Sequence, residues 1–144
     1  MGQQQLLLVI LVVIVVGVAT VVALRVTDSQ LKQSNQTKVR YDIQSIAASA
    51  RGFYLKPDIM GGGDNSFTSF DFSKTSFPKL KISSNGLKTY NENGTYVITS
   101  RSNAQFEIQA YPSSDDKYDN DNPLGSTDGS SIKAVIKEDT VEWQ

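Results

Sequence analysis

The run LLLVILVVIVVGVATVVAL, from Leu6 to Leu24, decides the fold of this chain. Its 19 residues carry no charge: 15 are Leu, Ile or Val, and the others are Gly17, Ala19, Thr20 and Ala23. As an α-helix rising about 1.5 Å per residue it spans about 28 Å, close to the ~30 Å hydrocarbon thickness of a bilayer. Each Leu, Ile or Val contributes about −0.3 to −0.6 kcal/mol to insertion at the bilayer centre, which outweighs the small penalties of Gly17 and Thr20. A helix apolar on every side must be buried in lipid or against other apolar helices, because the rest of this chain is mostly polar.

Working outward, the apolar run belongs to no water-soluble core, which leaves one small globular domain in a chain of 144 residues. The formal net charge is −1, from 14 basic and 15 acidic residues. No overall field therefore draws the protein to nucleic acid, and no nucleic-acid partner is expected. The absence of Cys excludes disulfides and thiolate metal sites. The absence of His removes the usual general base and the commonest zinc ligand, so no catalytic residues and no enzyme activity are expected. Before the run, Met1-Gly2-Gln3-Gln4-Gln5 carries no Lys or Arg, and the run exceeds a signal-peptide core, so an uncleaved anchor is the reading. Arg25 gives only a weak positive-inside signal.

After the run the chain becomes polar with helical periodicity. Val39, Ile43, Ile46, Ala47, Ala50 and Phe53 or Tyr54 recur at spacings of three and four. Lys38, Arg40, Asp42, Gln44 and Arg51 are read as falling largely on the opposite, solvent face. No Pro precedes Pro57, and no Gly lies between Gly17 and Gly52, so one helix of about 50 residues is expected to end near Gly52 and Lys56-Pro57. Its first part, residues 1–24, is the apolar anchor or packing segment; residues 25–56 form its amphipathic continuation.

Residues 57–78 read as a loop with a flexible turn at Gly61-Gly62-Gly63. That turn lacks the Gly-Lys-Ser or Gly-Lys-Thr of a phosphate-cradling loop. Phe67, Phe70, Phe72 and Phe77 are too aromatic for a disordered linker and are expected to pack on the domain. In residues 79–144 the period changes to two. Leu80 and Ile82, a Ser84-Asn85-Gly86 turn, Leu87 to Tyr90, and a hairpin at Asn93-Gly94 lead into the clearer alternation of Tyr96 and Ile98 with Val97 and Thr99. Phe106, Ile108 and Ala110 alternate with Gln105, Glu107 and Gln109; Ile132, Ala134 and Ile136 alternate with Lys133 and Lys137; Val141 and Trp143 mark a last strand. The expected fold class is α+β, one long N-terminal helix packed on a C-terminal antiparallel sheet with one apolar and one wet face. The core joining them is expected to comprise Val39, Ile43, Ile46, Ala47, Ala50, Tyr54, Ile98, Phe106, Ile108 and Ile136.

A Gly beside a membrane-length apolar helix, an amphipathic continuation and a C-terminal sheet resemble a type IV pilin or pseudopilin. The residues that carry the likeness are Gly2 to Ile10, the run to Leu24 and the stripe to Tyr54. The resemblance implies cleavage after Gly2 by a prepilin peptidase and methylation of Gln3. Here the leader would be only Met1-Gly2, and the fifth mature residue would be Leu7, whereas most members have Glu. It further implies a structural subunit of an extracellular helical filament: held in the inner membrane as a monomer, handled by pilus assembly machinery, and polymerised with its own copies as a cell-surface fimbrium. The alternative is a single-pass pseudopilin of a secretion system or an anchored extracytoplasmic binding module. Gln5, Leu6, Leu7, Leu8, Ile10, Leu11, Val13, Ile14, Gly17, Val18, Val21 and Leu24 are the expected packing residues, with Gly17 and Ala19 permitting close approach.

The long polar loop from Ser113 to Ser130 is read as solvated. Its Asp115, Asp119 and Asp121 are the candidates for Ca²⁺, which accepts several oxygen ligands in loose geometry. It is not an EF-hand: counting from Asp119, the sixth place is Leu124 and the twelfth Ser130. No cofactor is expected. Asn35-Gln36-Thr37 and Asn93-Gly94-Thr95 match the glycan acceptor pattern, the second being better explained by turn chemistry.

Overall fold

The computed structural model describes residues 2–144, so Met1, half of the two-residue leader considered above, lies outside the described residues. One helix, α1 (Gly2–Leu55), runs for 54 residues with no break at Gly17. A six-stranded antiparallel sheet follows: β1 (Lys81–Ile82), β2 (Lys88–Asn91), β3 (Gly94–Arg101), β4 (Gln105–Pro112), β5 (Ile132–Lys137) and β6 (Val141–Trp143), in spatial order 1-2-3-4-5-6. The fold is the α+β arrangement of one long helix on an antiparallel sheet. Every connection between neighbouring strands is local, because the sheet is a meander.

The chain divides into two compact units, one ending at Ser34 and the other being Asn35–Gln144. The amphipathic continuation was expected from residue 25, yet the first fully buried helix side chain is Val39. From there Val39, Ile43, Ile46, Ala47, Ala50 and Phe53 face the sheet, and Ile98, Phe106, Ile108, Ala110, Ala134 and Ile136 meet them from β3, β4 and β5. Tyr54, expected in this core, is only partly buried, and Phe53 takes the central place. Tyr54 instead lies 4.7 Å, centroid to centroid, from Phe67. Leu55 turns outward and the helix stops before Pro57, as the restricted residue preceding a proline requires.

The four phenylalanines of the loop are buried, as their number implied. Phe53, Phe67, Phe70 and Phe106 form one aromatic cluster, with ring centroids 4.7 to 6.4 Å apart at tilted or edge-on angles. The Gly61-Gly62-Gly63 turn, read as flexible, is a hydrogen-bonded cap on α1. Gly63 N donates to Phe53 O at 2.7 Å, Asp64 N to Lys56 O at 3.0 Å and Asn65 N to Tyr54 O at 2.8 Å. A Cβ on Gly62 would lie 2.0 Å from Lys56 O, and one on Gly63 2.1 Å from Ser66 O. These glycines serve close backbone approach.

Two details of the sheet depart from simple alternation. At the β2–β3 hairpin the two central residues are Glu92 and Asn93, with Asn91 paired to Gly94. Neither central residue has a positive φ; the turn is closed by the Asn91 side chain, whose Oδ1 accepts from Asn93 N at 2.9 Å and Gly94 N at 3.2 Å. Gly94 is needed for space, since a Cβ there would meet Tyr111 O at 2.3 Å. A bulge between Ile98 and Ser100 reverses the alternation of β3. Arg101 thereby pairs with Phe106 and its Nη1 donates to Phe70 O at 2.7 Å, tying the loop to the strand.

The second face of the sheet is not uniformly wet. Thr95 is fully buried on that side, its Oγ1 sharing a hydrogen bond with Tyr118 Oη at 2.9 Å and donating to Pro123 O at 2.7 Å. The Ser113–Ser130 loop, read as solvated, is docked there through Tyr118, Ser126 and the 3-10 turn Pro123–Gly125. Burial raises the phenol pKa of Tyr118, partly offset by its bond to Thr95.

Candidate functional site

In the first unit the candidate feature is the apolar surface of α1. The large apolar side chains from Leu6 to Leu24 are each 51–68% exposed. Gln5 and Gly17 lie on the same open surface, and a Cβ on Gly17 would have no atom within 4 Å. The hydroxyls along this helix bond back to its own backbone: within the segment Thr20 Oγ1 donates to Val16 O at 2.8 Å, and just beyond it Thr27 Oγ1 donates to Ala23 O at 3.0 Å. No part of the most apolar window is buried within the chain, and the helix is long and apolar enough to cross a membrane. Gly2 and Gln3 begin the helix and are exposed.

In the second unit the structure assembles a polar node that the sequence reading placed on the solvent face. Asp42 flanks the buried stripe, three residues after Val39 and one before Ile43. Its Oδ2 accepts from Tyr96 Oη at 2.5 Å, Asn93 Nδ2 at 2.7 Å and Asn91 Nδ2 at 2.9 Å. Tyr96 is fully buried. Its phenol pKa is raised well above the ordinary value, first by burial and then by the bond to Asp42 and that carboxylate's charge. Two helical turns earlier, on the same flank, Asn35 grips the same hairpin. Its Nδ2 donates to Asn93 O at 3.1 Å and Ser113 Oγ at 3.3 Å, and its Oδ1 accepts from Ser114 Oγ at 2.9 Å. Asn35 and Asp42 therefore fix which hairpin lies against α1 and in what register.

This geometry reassigns the glycan acceptor patterns. The amides of Asn35 and Asn93 are both engaged as structural hydrogen-bonding groups in the folded unit. Beside the node lies a hollow of about 470 Å³ lined by Asp42, Pro78, Lys79, Leu80, Asn91, Glu92 and Asn93. Lys79 Nζ donates to Thr75 O at 2.6 Å and Thr75 Oγ1 at 3.1 Å, and desolvation lowers its pKa despite the nearby Asp71.

The calcium candidates serve as turn acceptors. Asp115 Oδ1 accepts from Lys117 N at 3.0 Å and Oδ2 from Ser130 N at 3.1 Å; these bonds, led by the one from Lys117, lower its pKa. Asp119 Oδ1 accepts from Asp121 N at 2.9 Å and Asn122 N at 3.2 Å, and Asp121 is exposed. Among the described residues no three acidic side chains are grouped so as to hold a metal ion.

The chain is thus a membrane-length apolar helix followed by an α+β head. Comparison with family models, with curated proteins and with solved structures finds no match for it.

Proposed function

We propose that the protein is a non-enzymatic structural subunit of an extracellular helical filament, resembling a type IV pilin, that polymerises through its N-terminal helix. One observation supports this reading: a 19-residue uncharged segment, 15 of its residues Leu, Ile or Val, whose apolar side chains are exposed among the described residues. Burial of such side chains contributes about 1.5 kcal/mol or more each relative to water, so the segment requires an apolar surrounding. The bilayer supplies it to the monomer, and a bundle of copies supplies it outside the membrane. The second unit is the shell domain, small and stable without disulfides because a shared aromatic and aliphatic core joins helix to sheet.

Electron microscopy of material sheared from the surface of producing cells, with mass spectrometry of its N-terminus, tests the proposal. Fibres containing the chain are the expected result, and a mass beginning at methylated Gln3 would add the processing step. A chain found only in membranes refutes the filament and leaves the single-pass anchored module.

A further inference from the structure

The turns that close two hairpins carry the same reactive dipeptide, Asn85-Gly86 between β1 and β2 and Asn93-Gly94 between β2 and β3. In an Asn-Gly pair the glycine nitrogen can add to the asparagine side-chain carbonyl, because no Cβ on the second residue obstructs the approach. Glycine is required at both places. A Cβ on Gly86, whose φ is +71°, would lie 3.1 Å from the Asp71 Cβ, and one on Gly94 2.3 Å from Tyr111 O. The fold therefore retains both pairs but sets them in unlike surroundings.

Asn85 is exposed at the tip of the edge hairpin, where β1 is only two residues long. Its Oδ1 accepts from Ser83 Oγ at 2.6 Å and Leu87 N at 3.1 Å, which draws electron density from Cγ. The attacking atom is tied by one local bond, Gly86 N to Ser83 O at 3.0 Å. A short edge hairpin of this kind opens locally at low cost. Asn93, by contrast, is half-buried and Gly94 buried. The Asn93 Nδ2 donates to the Asp42 carboxylate at 2.7 Å, its O accepts from Asn35 Nδ2 at 3.1 Å, and Gly94 N donates to Asn91 Oδ1 at 3.2 Å. Negative charge forming on the Asn93 side-chain oxygen during addition would develop beside a carboxylate, the reverse of what stabilises such an oxyanion. Cyclisation there requires the hairpin to leave α1.

We propose that Asn85 is a site of spontaneous modification and that α1 shields Asn93 from the same reaction. Hydroxide removes the Gly86 amide proton, the nitrogen bonds to Asn85 Cγ, and the Cγ–Nδ2 bond breaks as ammonia leaves with a proton from water. Water then opens the cyclic imide. Cleavage at Cγ leaves an aspartate with the ordinary main chain, whereas cleavage at the main-chain carbonyl carbon leaves isoaspartate, with an extra methylene in the main chain. Isoaspartate displaces Gly86, whose O accepts from Phe72 N at 2.9 Å, so the 3-10 turn Phe72–Lys74 loses an anchor. The reaction needs only water and does not depend on the filament.

The full-length chain in detergent is incubated in mildly alkaline buffer, and peptide mass spectrometry follows the conversion of each amide to an acid. An isoaspartate-specific methyltransferase marks the rearranged product. In the folded chain Asn85 is expected to convert about tenfold or more faster than Asn93, and in denaturant the two are expected to convert at similar rates. Equal rates in the folded chain, or conversion of neither while the denatured chain converts both, overturn the proposal; so does a difference that persists in denaturant. Asp42→Ala and Asn35→Ala, each verified by a cooperative melt, are expected to speed conversion at Asn93 and leave Asn85 unchanged. An unmoved Asn93 rate in both folded variants overturns the shielding. Asn85→Asp carries the charge without the extra methylene, so the isoaspartate-containing chain is expected to melt below it. Equal melting of the two overturns the loss of the Phe72 anchor.

Discussion

Replacing Asp42 with Ala removes the acceptor shared by Tyr96, Asn91 and Asn93, and the structure allows its cost to be apportioned. The two asparagines are half-buried, so water can replace part of what their amides lose. Tyr96 is fully buried and cannot be rehydrated without opening the helix–sheet seam. An unsatisfied buried hydroxyl costs about 1–3 kcal/mol, and bonds to a charged acceptor are worth about 1.5–3 kcal/mol. The expected loss is about 2–4 kcal/mol, or a fall in Tm of about 10–20 °C for a domain of this size. Tyr96→Phe removes the hydroxyl alone and leaves the carboxylate two donors, so its cost is about 1–2 kcal/mol. The informative assay is the double-mutant cycle, measured by denaturant unfolding of the full chain in detergent. Once the hydroxyl is gone, the most expensive consequence of Asp42→Ala has nothing left to act on. The double variant is therefore expected to be more stable than the sum of the single losses by about 1 kcal/mol or more. Additivity to within about 0.3 kcal/mol would refute the assignment of Asp42 as the acceptor that permits Tyr96 to be buried.

The raised pKa of the Tyr96 phenol gives a pH dependence of definite sign. Its folded pKa lies above the unfolded value, so its contribution is complete below the unfolded pKa near 10 and is lost as pH rises toward the folded one. Unfolding curves are expected to show stability falling above about pH 10, and Tyr96→Phe to reduce that slope by about 1.4 kcal/mol per pH unit. Val13→Asp places a charge mid-segment at a cost of about 2.5–3.5 kcal/mol in a bilayer, with no partner in a helix bundle. Membrane fractionation and microscopy are expected to find neither accumulation nor fibres, and normal fibres would contradict apolar burial. A chelator is expected to leave the melting temperature unchanged, because the oxygens of Asp115 and Asp119 already accept backbone N–H groups; a clear drop would reveal a bound cation.

The stripe from Val39 to Phe53 and the alternation of β3 to β5 were legible because burial on one face imposes a period of 3.6 or 2 on the sequence. The polar node was not. Asp42 sits at the flank of the stripe, where a count of apolar positions assigns any carboxylate to solvent. The available signal was a different period: Asn35, Asp42 and Ser49 recur every seventh residue, and all three are half-buried. The reversal at Thr99 was likewise hidden, because a bulge is a property of the pairing between β3 and β4 and leaves no mark in either strand alone. The docking of the Ser113–Ser130 loop turned on Tyr118, a single aromatic amid aspartates. Its partner Thr95 lies 23 residues away in sequence, on the face expected to be wet.

In the proposed polymer, the two units supply different things. Apolar burial is non-directional, so a helix surface made almost wholly of Leu, Ile and Val drives association strongly while distinguishing poorly between neighbouring registers. Coiled coils resolve the same ambiguity with a polar residue at one core position. Here the segment has no carboxylate, and Thr20 has turned its hydroxyl back onto its own helix. Only the amides of Gln3, Gln4 and Gln5 remain as register-fixing groups there. Directional contact must otherwise come from surfaces where side-chain shape and charge differ from place to place, and these lie in the unit from Asn35 onward. Within that unit, the grip of Asn35 and Asp42 on the β2–β3 hairpin fixes the sheet against the part of α1 from Asn35 onward, so the surfaces it presents keep a set arrangement among themselves.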